Sequence, residues 1–392
     1  MARILFLAPQ PFYQERGTPI AIDLALRALE DNGHQIDLVT YPEGEDISYK
    51  NVKQYRVFRV PWVENVPPGF SWKKLLYSYL MIFTALNLVF RHRYDLVHAG
   101  EDACFIALLI RLVRRLPYIY DMDSSIAQQV VEKRPILSPV SGLLNCFEGL
   151  AIRHAFAVIA VCPALVDLAH KNGAKRVLLL QDISLLDRFQ PSKDITDLRQ
   201  DMGTNKVLLL YVGNLEGYQG IDLLLDSFAL ATQHRAELAL AIIGGQSQDI
   251  THYQKKAEQL GISGMCRFFG PRPVNDISAY LDQADILLSP RIIGNNTPMK
   301  IYTYLAAGKA LLATRIYSHT QALNDDIACL VDPHPQGMAE GITRLCSDAD
   351  FRLKLGAAAQ RHAEENHTFE VYREKLTTFY QQMVTEIGGG AL

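Results

Sequence analysis

Short apolar runs alternate with segments whose apolar residues recur at helical spacing, and this alternation appears in two successive series. The first series starts at Arg3–Pro9 and continues at Ile36–Thr40, Arg56–Val60, Asp95–Ala99, Tyr118–Tyr120, Ala157–Cys162 and Val177–Leu180. The second runs through Val207–Gly213, Leu238–Ile243, Cys266–Phe269, Ile286–Ser289, Ala310–Thr314 and Ala328–Val331. Strands that alternate with helices imply parallel sheets covered on both faces, so the expected class is α/β with two doubly wound domains. A chain of 392 residues is also too long for one ordinary core and fits two domains of roughly 150 to 200 residues. Pro191 and a polar cluster over Asp187–Asp194 interrupt the pattern between the series. The expected units are therefore 1–190 and 191–370, with a C-terminal helix and frayed tail at 371–392. Such sheets bind ligands beyond the carboxyl ends of their strands, so two of them facing each other frame a cleft.

Composition removes several function classes. The formal charge of −3 gives no global attraction to nucleic acid, and any anion site must be local. Six cysteines lie scattered without C-x-x-C spacing, which argues against a zinc site or a disulfide scaffold and points to a reducing, cytoplasmic compartment. The first apolar run is too short and too early for a signal peptide, and Leu75–Phe90, broken by Ser78, Thr84 and Asn87, falls short of a spanning length. No transmembrane segment is expected.

Two strand-to-helix turns in the second half attract attention. Val207–Gly213 leads through Asn214, Gln219 and Gly220 into an apolar-periodic helix. Free backbone amides at such a turn bind phosphate, although a tight turn that needs glycine only for its backbone angles fits as well. The other turn is Ser289–Lys309, where Arg291, Asn295, Asn296 and Thr297 precede Pro298, Met299 and Lys300 at a helix start. Cations avoid the positive end of a helix dipole, so a lysine there calls for an anion between it and the amides, unless it swings into solvent. Thr303 and Tyr304 on the same helix either reach a ribose or pack.

With these residues in place, the second half resembles the donor domain of glycosyltransferase family 4. The likeness rests on the Val212–Leu225 turn, Gly244-Gly245 after a strand, the stretch Phe268–Arg291 with Arg272, and the NTPxKIYxYL run at Asn296–Leu305. The first half matches more loosely through Asp95–Ala99, Tyr120–Ser125 and the Gly17-Thr18 loop. The resemblance implies a GT-B fold of two Rossmann-like domains and a retaining, metal-independent transfer of a hexosyl group, with no cofactor besides the nucleotide diphosphate sugar as substrate. It also exposes departures. Asn214 and Gln219 stand where the family has an arginine and a lysine on the diphosphate, and Asn295 and Thr303 replace its paired glutamates. Met299-Lys300 is similar to a pair that holds the diphosphate in other GT-B transferases, which leaves Lys300, Arg291 and Arg315 to supply the missing charge.

On the acceptor side, Asp123 follows a strand where the family often has a sugar-site histidine, and it serves either the sugar or the cap of the next helix with Ser124 and Ser125. His98 and Glu101 face the same choice between cleft and packing. A front-face retaining mechanism, which the resemblance implies, lets the leaving diphosphate take the acceptor's proton. Catalysis then depends on positioning and positive charge at Lys300, Arg291 and the Gly17-Thr18 loop. Trp72-Lys73-Lys74 and Arg91-His92-Arg93 flank an apolar stretch. That pattern fits a helix lying on an anionic membrane at its inner face, with a lipid-linked acceptor, or a helix buried against the first sheet. The first strand lacks the G-x-G-x-x-G of a nicotinamide dehydrogenase. A GT-B nucleotide-sugar epimerase and a non-catalytic sugar-nucleotide binding protein stay open as alternatives.

Overall fold

A computed structural model gives the fold; it describes residues 1–392 apart from 16, 68–70, 128–129, 131–138, 140, 187–190, 193–194, 235–237 and 390–392. Arg16 and most of the expected linker at 187–194 thus lie outside the described residues. The strands are β1 (Arg3–Leu7), β2 (Gln35–Thr40), β3 (Val52–Arg56), β4 (Leu96–Gly100), β5 (Tyr118–Met122), β6 (Ala157–Ala160) and β7 (Val177–Leu179) in the first half. In the second they are β8 (Val207–Val212), β9 (Leu238–Ile243), β10 (Cys266–Gly270), β11 (Ile286–Ser289), β12 (Ala310–Thr314) and β13 (Cys329–Val331). Every pairing is parallel, in the orders β3-β2-β1-β4-β5-β6-β7 and β10-β9-β8-β11-β12-β13. Each sheet reverses its winding once, between β1 and β4 and between β8 and β11, and those switch points are where doubly wound sheets take ligands.

One strand needs correction. The apolar run Arg56–Val60 is not β3; the strand lies earlier, over Val52–Arg56, and pairs only with β2 at the sheet edge. An edge strand need not be apolar on both faces, so Lys53 and Gln54 broke the pattern that marks the central strands.

The chain forms two compact units, Met1–Asp182 together with Phe369–Leu392, and Ile183–Thr368. The last helix, Phe369–Gly388, therefore returns to the first unit, where it packs beside helix Gly17–Asp31. In that unit, helices Trp72–Arg91, Ala103–Arg114 and Ser141–His154 share one core with the sheet through Tyr77, Met81, Ala103, Ile106, Ala151 and Ile152. The expectation that Leu75–Phe90 falls short of a membrane-spanning length is also corrected. Helix Trp72–Arg91 has 20 residues and a mean hydropathy of 1.2, enough by length and composition to span. Its inner face, however, belongs to the core, where Tyr77, Met81, Ala85, Leu88 and Val89 are buried. Its outer face carries Trp72, Leu75, Tyr79, Phe83 and Phe90, each more than half exposed.

Candidate active site

In the second unit the site grows from the gap between β8 and β11. Their pairing ends at Leu210 and Leu287, which leaves the backbone of Val212 without a strand partner on that side. Tyr304, buried on helix Lys300–Ala306, fills the gap: its hydroxyl accepts from Val212 N at 2.8 Å and donates to Val212 O at 3.1 Å. Tyr304 thus packs and holds the β8 turn. Tyr304→Phe should leave both backbone groups unsatisfied and cost about 1–3 kcal/mol, read as a lower urea midpoint at unchanged slope.

Beyond Val212 the turn passes Gly213 and Asn214, forms a short 3₁₀ turn at Gly217–Gln219, and enters helix Ile221–His234 through Gly220. Gly220 has φ +74°, and a Cβ there would lie 2.0 Å from the Pro290 carbonyl oxygen. Gly244, at φ +110°, would likewise put a Cβ 2.1 Å from Gly213 O. Only glycine lets these three turns meet. Beside them lies a cleft of about 400 Å³, lined by Gly213, Asn214, Gly244, Gly245, Asp249 and Arg272 among others. Arg272 contributes a buried Nε that has no hydrogen-bond partner.

Lys300 enters the turn from the opposite side. Its ammonium lies 3.3 Å from Gln219 Oε1 and 4.1 Å from the centroid of the Tyr211 ring. Gln219 itself is buried, so a cation from the facing helix stands beside the place where the family's lysine is missing. Burial and the nearby Arg291 charge lower the Lys300 pKa to about 7. An anion bound there would restore its charge.

Arg291 is held within its own loop, where Nε donates to Ile293 O at 2.8 Å and Nη1 to Asn296 O at 3.2 Å. Its place is that of a clamp on the loop before Lys300. Arg315 pairs with Asp325 at 2.6 Å and donates to Leu330 O at 3.2 Å. The helix begins at Lys300 itself, one turn later than Asn296 and Thr297 imply, with Met299 at the cap position. Thr297 is buried with an unpartnered Oγ1, Thr303 is buried on the helix, and the Asn295 carbonyl accepts from Gln321. Sequence reasoning missed His319. Fully buried, it donates from Nδ1 to Thr314 O at 2.8 Å and accepts at Nε2 from Ser289 at 2.9 Å, while Thr314 Oγ1 donates to Arg291 O. The network anchors the Arg291 loop from below, and burial keeps His319 neutral by lowering its pKa to about 4.

In the first unit, His98 lies in the core, not on a surface. It is fully buried, stacked on Phe6 with centroids 4.0 Å apart, and bonded to the Tyr380 hydroxyl and, at 3.1 Å, to Asp121. Of the two roles that the sequence left open for it, cleft or packing, its full burial fits packing, where it positions Asp121 and the last helix. Asp123 sits at the end of β5 with Asp121 and Asp182. Burial and the carboxylates of Asp121, Glu101 and Asp182 raise its pKa well above the usual range, while burial and Asp121 raise Asp182 to about 7. The helix amides of Ile126 and Ala127 are capped by Glu148, a buried residue without a sequence signature. Gly17 and Thr18 line a second cavity, of about 240 Å³, at the β1 and β4 ends. Among the described residues no group of three His, Cys, Asp or Glu side chains is placed to hold a metal ion.

Comparison with known proteins now decides the family. Residues 194–362 match the family described as glycosyl transferases group 1, and residues 17–180 match the glycosyl transferase 4-like domain. The chain belongs to the family 4-like glycosyltransferases. The glycosyltransferase is 24% identical to a D-inositol 3-phosphate glycosyltransferase of Corynebacterium glutamicum over 80% of this chain and 79% of that one. Another relative of that name, from Corynebacterium jeikeium, is 29% identical over only half of each chain. A sucrose-phosphate synthase from Thermosynechococcus elongatus shares the GT-B fold at a TM-score of 0.80 and 16% identity, covering 98% of this chain and 100% of that one. The Anabaena protein HepE, solved with UDP, follows at 0.73 and 16% identity over 97% and 100%.

Proposed function

We propose that this glycosyltransferase moves a hexosyl group from a nucleotide diphosphate sugar to a sugar or lipid-linked acceptor, with retention and without a metal. The observation that carries the reading is the Lys300 ammonium beside Gln219 at the switch point of the second sheet, next to the 400 Å³ cleft. The cleft accommodates the nucleoside along Gly244 and Arg272, and Lys300 then meets the diphosphate. HepE has been solved with UDP and with UDP-glucose, which makes uridine nucleotides the first donors to try.

In this reading the leaving diphosphate takes the acceptor's proton, so the chain's own work is electrostatic. Lys300, protonated on binding, stabilises the charge that develops on the leaving oxygen, and the His319 network keeps the Arg291 loop in place beneath it. Asp123 and Asp121 line the acceptor side, where the carboxyl group of Asp123, kept protonated by burial and its neighbours, donates to a sugar hydroxyl and Asp121 accepts from one. The exposed apolar stripe of helix Trp72–Arg91 lies on an anionic membrane, at the cytoplasmic face.

The test is turnover of UDP-glucose with a panel of sugar and lipid-linked acceptors, the anomeric configuration of product being read by proton NMR. Retained configuration and full activity in EDTA are expected. Inverted product, or strict dependence on added magnesium or manganese, would contradict the reading. Donor consumed to an epimer without acceptor would mark an epimerase, and UDP-glucose binding with no turnover a binding protein.

A further inference from the structure

The cavity between the ends of β1 and β4 is built unlike an anion site. Its walls, all in the first unit, include Gln10, Thr18, Tyr41, Lys74 and Glu101. Lys74, at the start of helix Trp72–Arg91, is one of the basic residues that a helix lying on a membrane would turn outward. Instead it points inward, where its ammonium bridges Glu101 and, at 2.9 Å, Asp102. Asp102 also accepts from Ser78 Oγ at 2.6 Å, Ser78 meets the Tyr41 hydroxyl at 2.7 Å, and that hydroxyl bonds Lys74 O at 3.1 Å. The network closes on itself. On the wall itself Lys74 and Glu101 balance, and Asp102 behind them adds a second carboxylate, so this cluster of described residues carries a net negative charge and the lysine's donors are largely spent.

Gln10 supplies the second observation. It is 6% exposed, and its side-chain amide nitrogen has no hydrogen-bond partner. A buried amide donor without an acceptor carries a desolvation cost that a ligand oxygen would relieve. Glu101, held at φ +45°, presents a carboxylate that only accepts. An alcohol satisfies both groups, because its oxygen accepts from Gln10 while its proton goes to Glu101. A phosphate offers acceptors alone and would face the excess carboxylate.

We infer that this cavity is an acceptor subsite for the hydroxyls of an uncharged sugar or polyol, and that it rejects the phosphorylated counterpart. The inference rests on the transferase reading above and names its acceptor end. It separates this chain from relatives whose name specifies a phosphorylated inositol.

Ligand-observed NMR on the full chain tests it, with two probe pairs: myo-inositol against myo-inositol 3-phosphate, and glucose against glucose 6-phosphate. In at least one pair the neutral member should bind about tenfold tighter or more, and Glu101→Gln should narrow that ratio severalfold by removing the excess charge. Gln10→Leu should weaken the neutral ligand about tenfold, and it carries the test if Glu101→Gln fails to fold. Equal or tighter binding of the phosphorylated members, a ratio indifferent to Glu101→Gln, or no binding in either pair would overturn the inference. UDP binding is followed in the same samples. If UDP binds while the cavity behaves otherwise, only this inference falls, whereas a chain that binds no nucleotide loses the donor reading instead.

Discussion

Lys300→Met is expected to weaken UDP-glucose binding by about 10- to 100-fold, the loss of one charge-assisted contact to a diphosphate. The fold should survive, and the melting temperature should stay level or rise, because the substitution removes an ammonium whose burial is costly. The same residue sets a pH dependence. With its pKa lowered to about 7 in the free chain, Lys300 carries charge below that pH and loses it above. Binding an anion requires the proton back, so the dissociation constant should rise above pH 7 by up to about tenfold per unit. The neighbours do not confuse this window: burial raises the Tyr211 hydroxyl well above it and holds His319 near 4. UDP-glucose itself has no titrating phosphate there. A Lys300→Met variant with the wild-type affinity, or one with the wild-type pH slope, would remove the lysine from the site.

The second large effect concerns membranes. The full chain should sediment with vesicles rich in anionic lipid at low salt and stay in the supernatant at high salt. Helix Ala103–Arg114, packed against Trp72–Arg91, and helix Ser141–His154, packed against Ala103–Arg114, also expose Leu112, Val113, Leu143 and Phe147, apolar residues of the kind that mark an interaction surface. Exposed Arg91, Arg93, Arg114 and Arg115 border it, and Arg114 lies over the Phe90 ring. Each basic residue near an anionic surface contributes about 1 kcal/mol, so these four can hold a reversible association without Lys74, which is buried in its ion pairs. Spanning is disfavoured, because it would strip Tyr77 and Met81 from the core. Tyr79→Asp with Phe83→Asp should abolish sedimentation while UDP-glucose binding persists. Sedimentation that survives this pair, or a wild-type chain that never leaves the supernatant, would end the membrane reading.

Much of the fold was legible because central parallel strands are buried on both faces and read as unbroken apolar runs. Edge strand β3 was not, since solvent on one side permits Lys53 and Gln54. The return of helix Phe369–Gly388 to the first unit leaves no local signal; it is decided by Tyr380 meeting His98, a contact between residues 282 positions apart. At the site, Lys300 and Gly220 stood out through helix-dipole and turn chemistry. His319 and Glu148 did not, because a buried polar residue that satisfies backbone or loop groups looks like any other polar residue in a sequence. Lys74 misled for the opposite reason: a lysine flanking an apolar helix reads as a surface charge until Glu101 and Asp102 are brought beside it.

The second unit is expected to bind a nucleoside diphosphate, and a thermal-shift titration with UDP, GDP, ADP, CDP and dTDP tests this directly. A ligand that binds only the folded state stabilises it by about 2.7 kcal/mol at a hundredfold excess over its dissociation constant. At least one nucleotide, with UDP the leading candidate, should raise the melting temperature in step with the logarithm of its concentration, and Lys300→Met should shrink that rise. A melting temperature unmoved by every nucleotide in the panel at millimolar concentration would contradict the central claim.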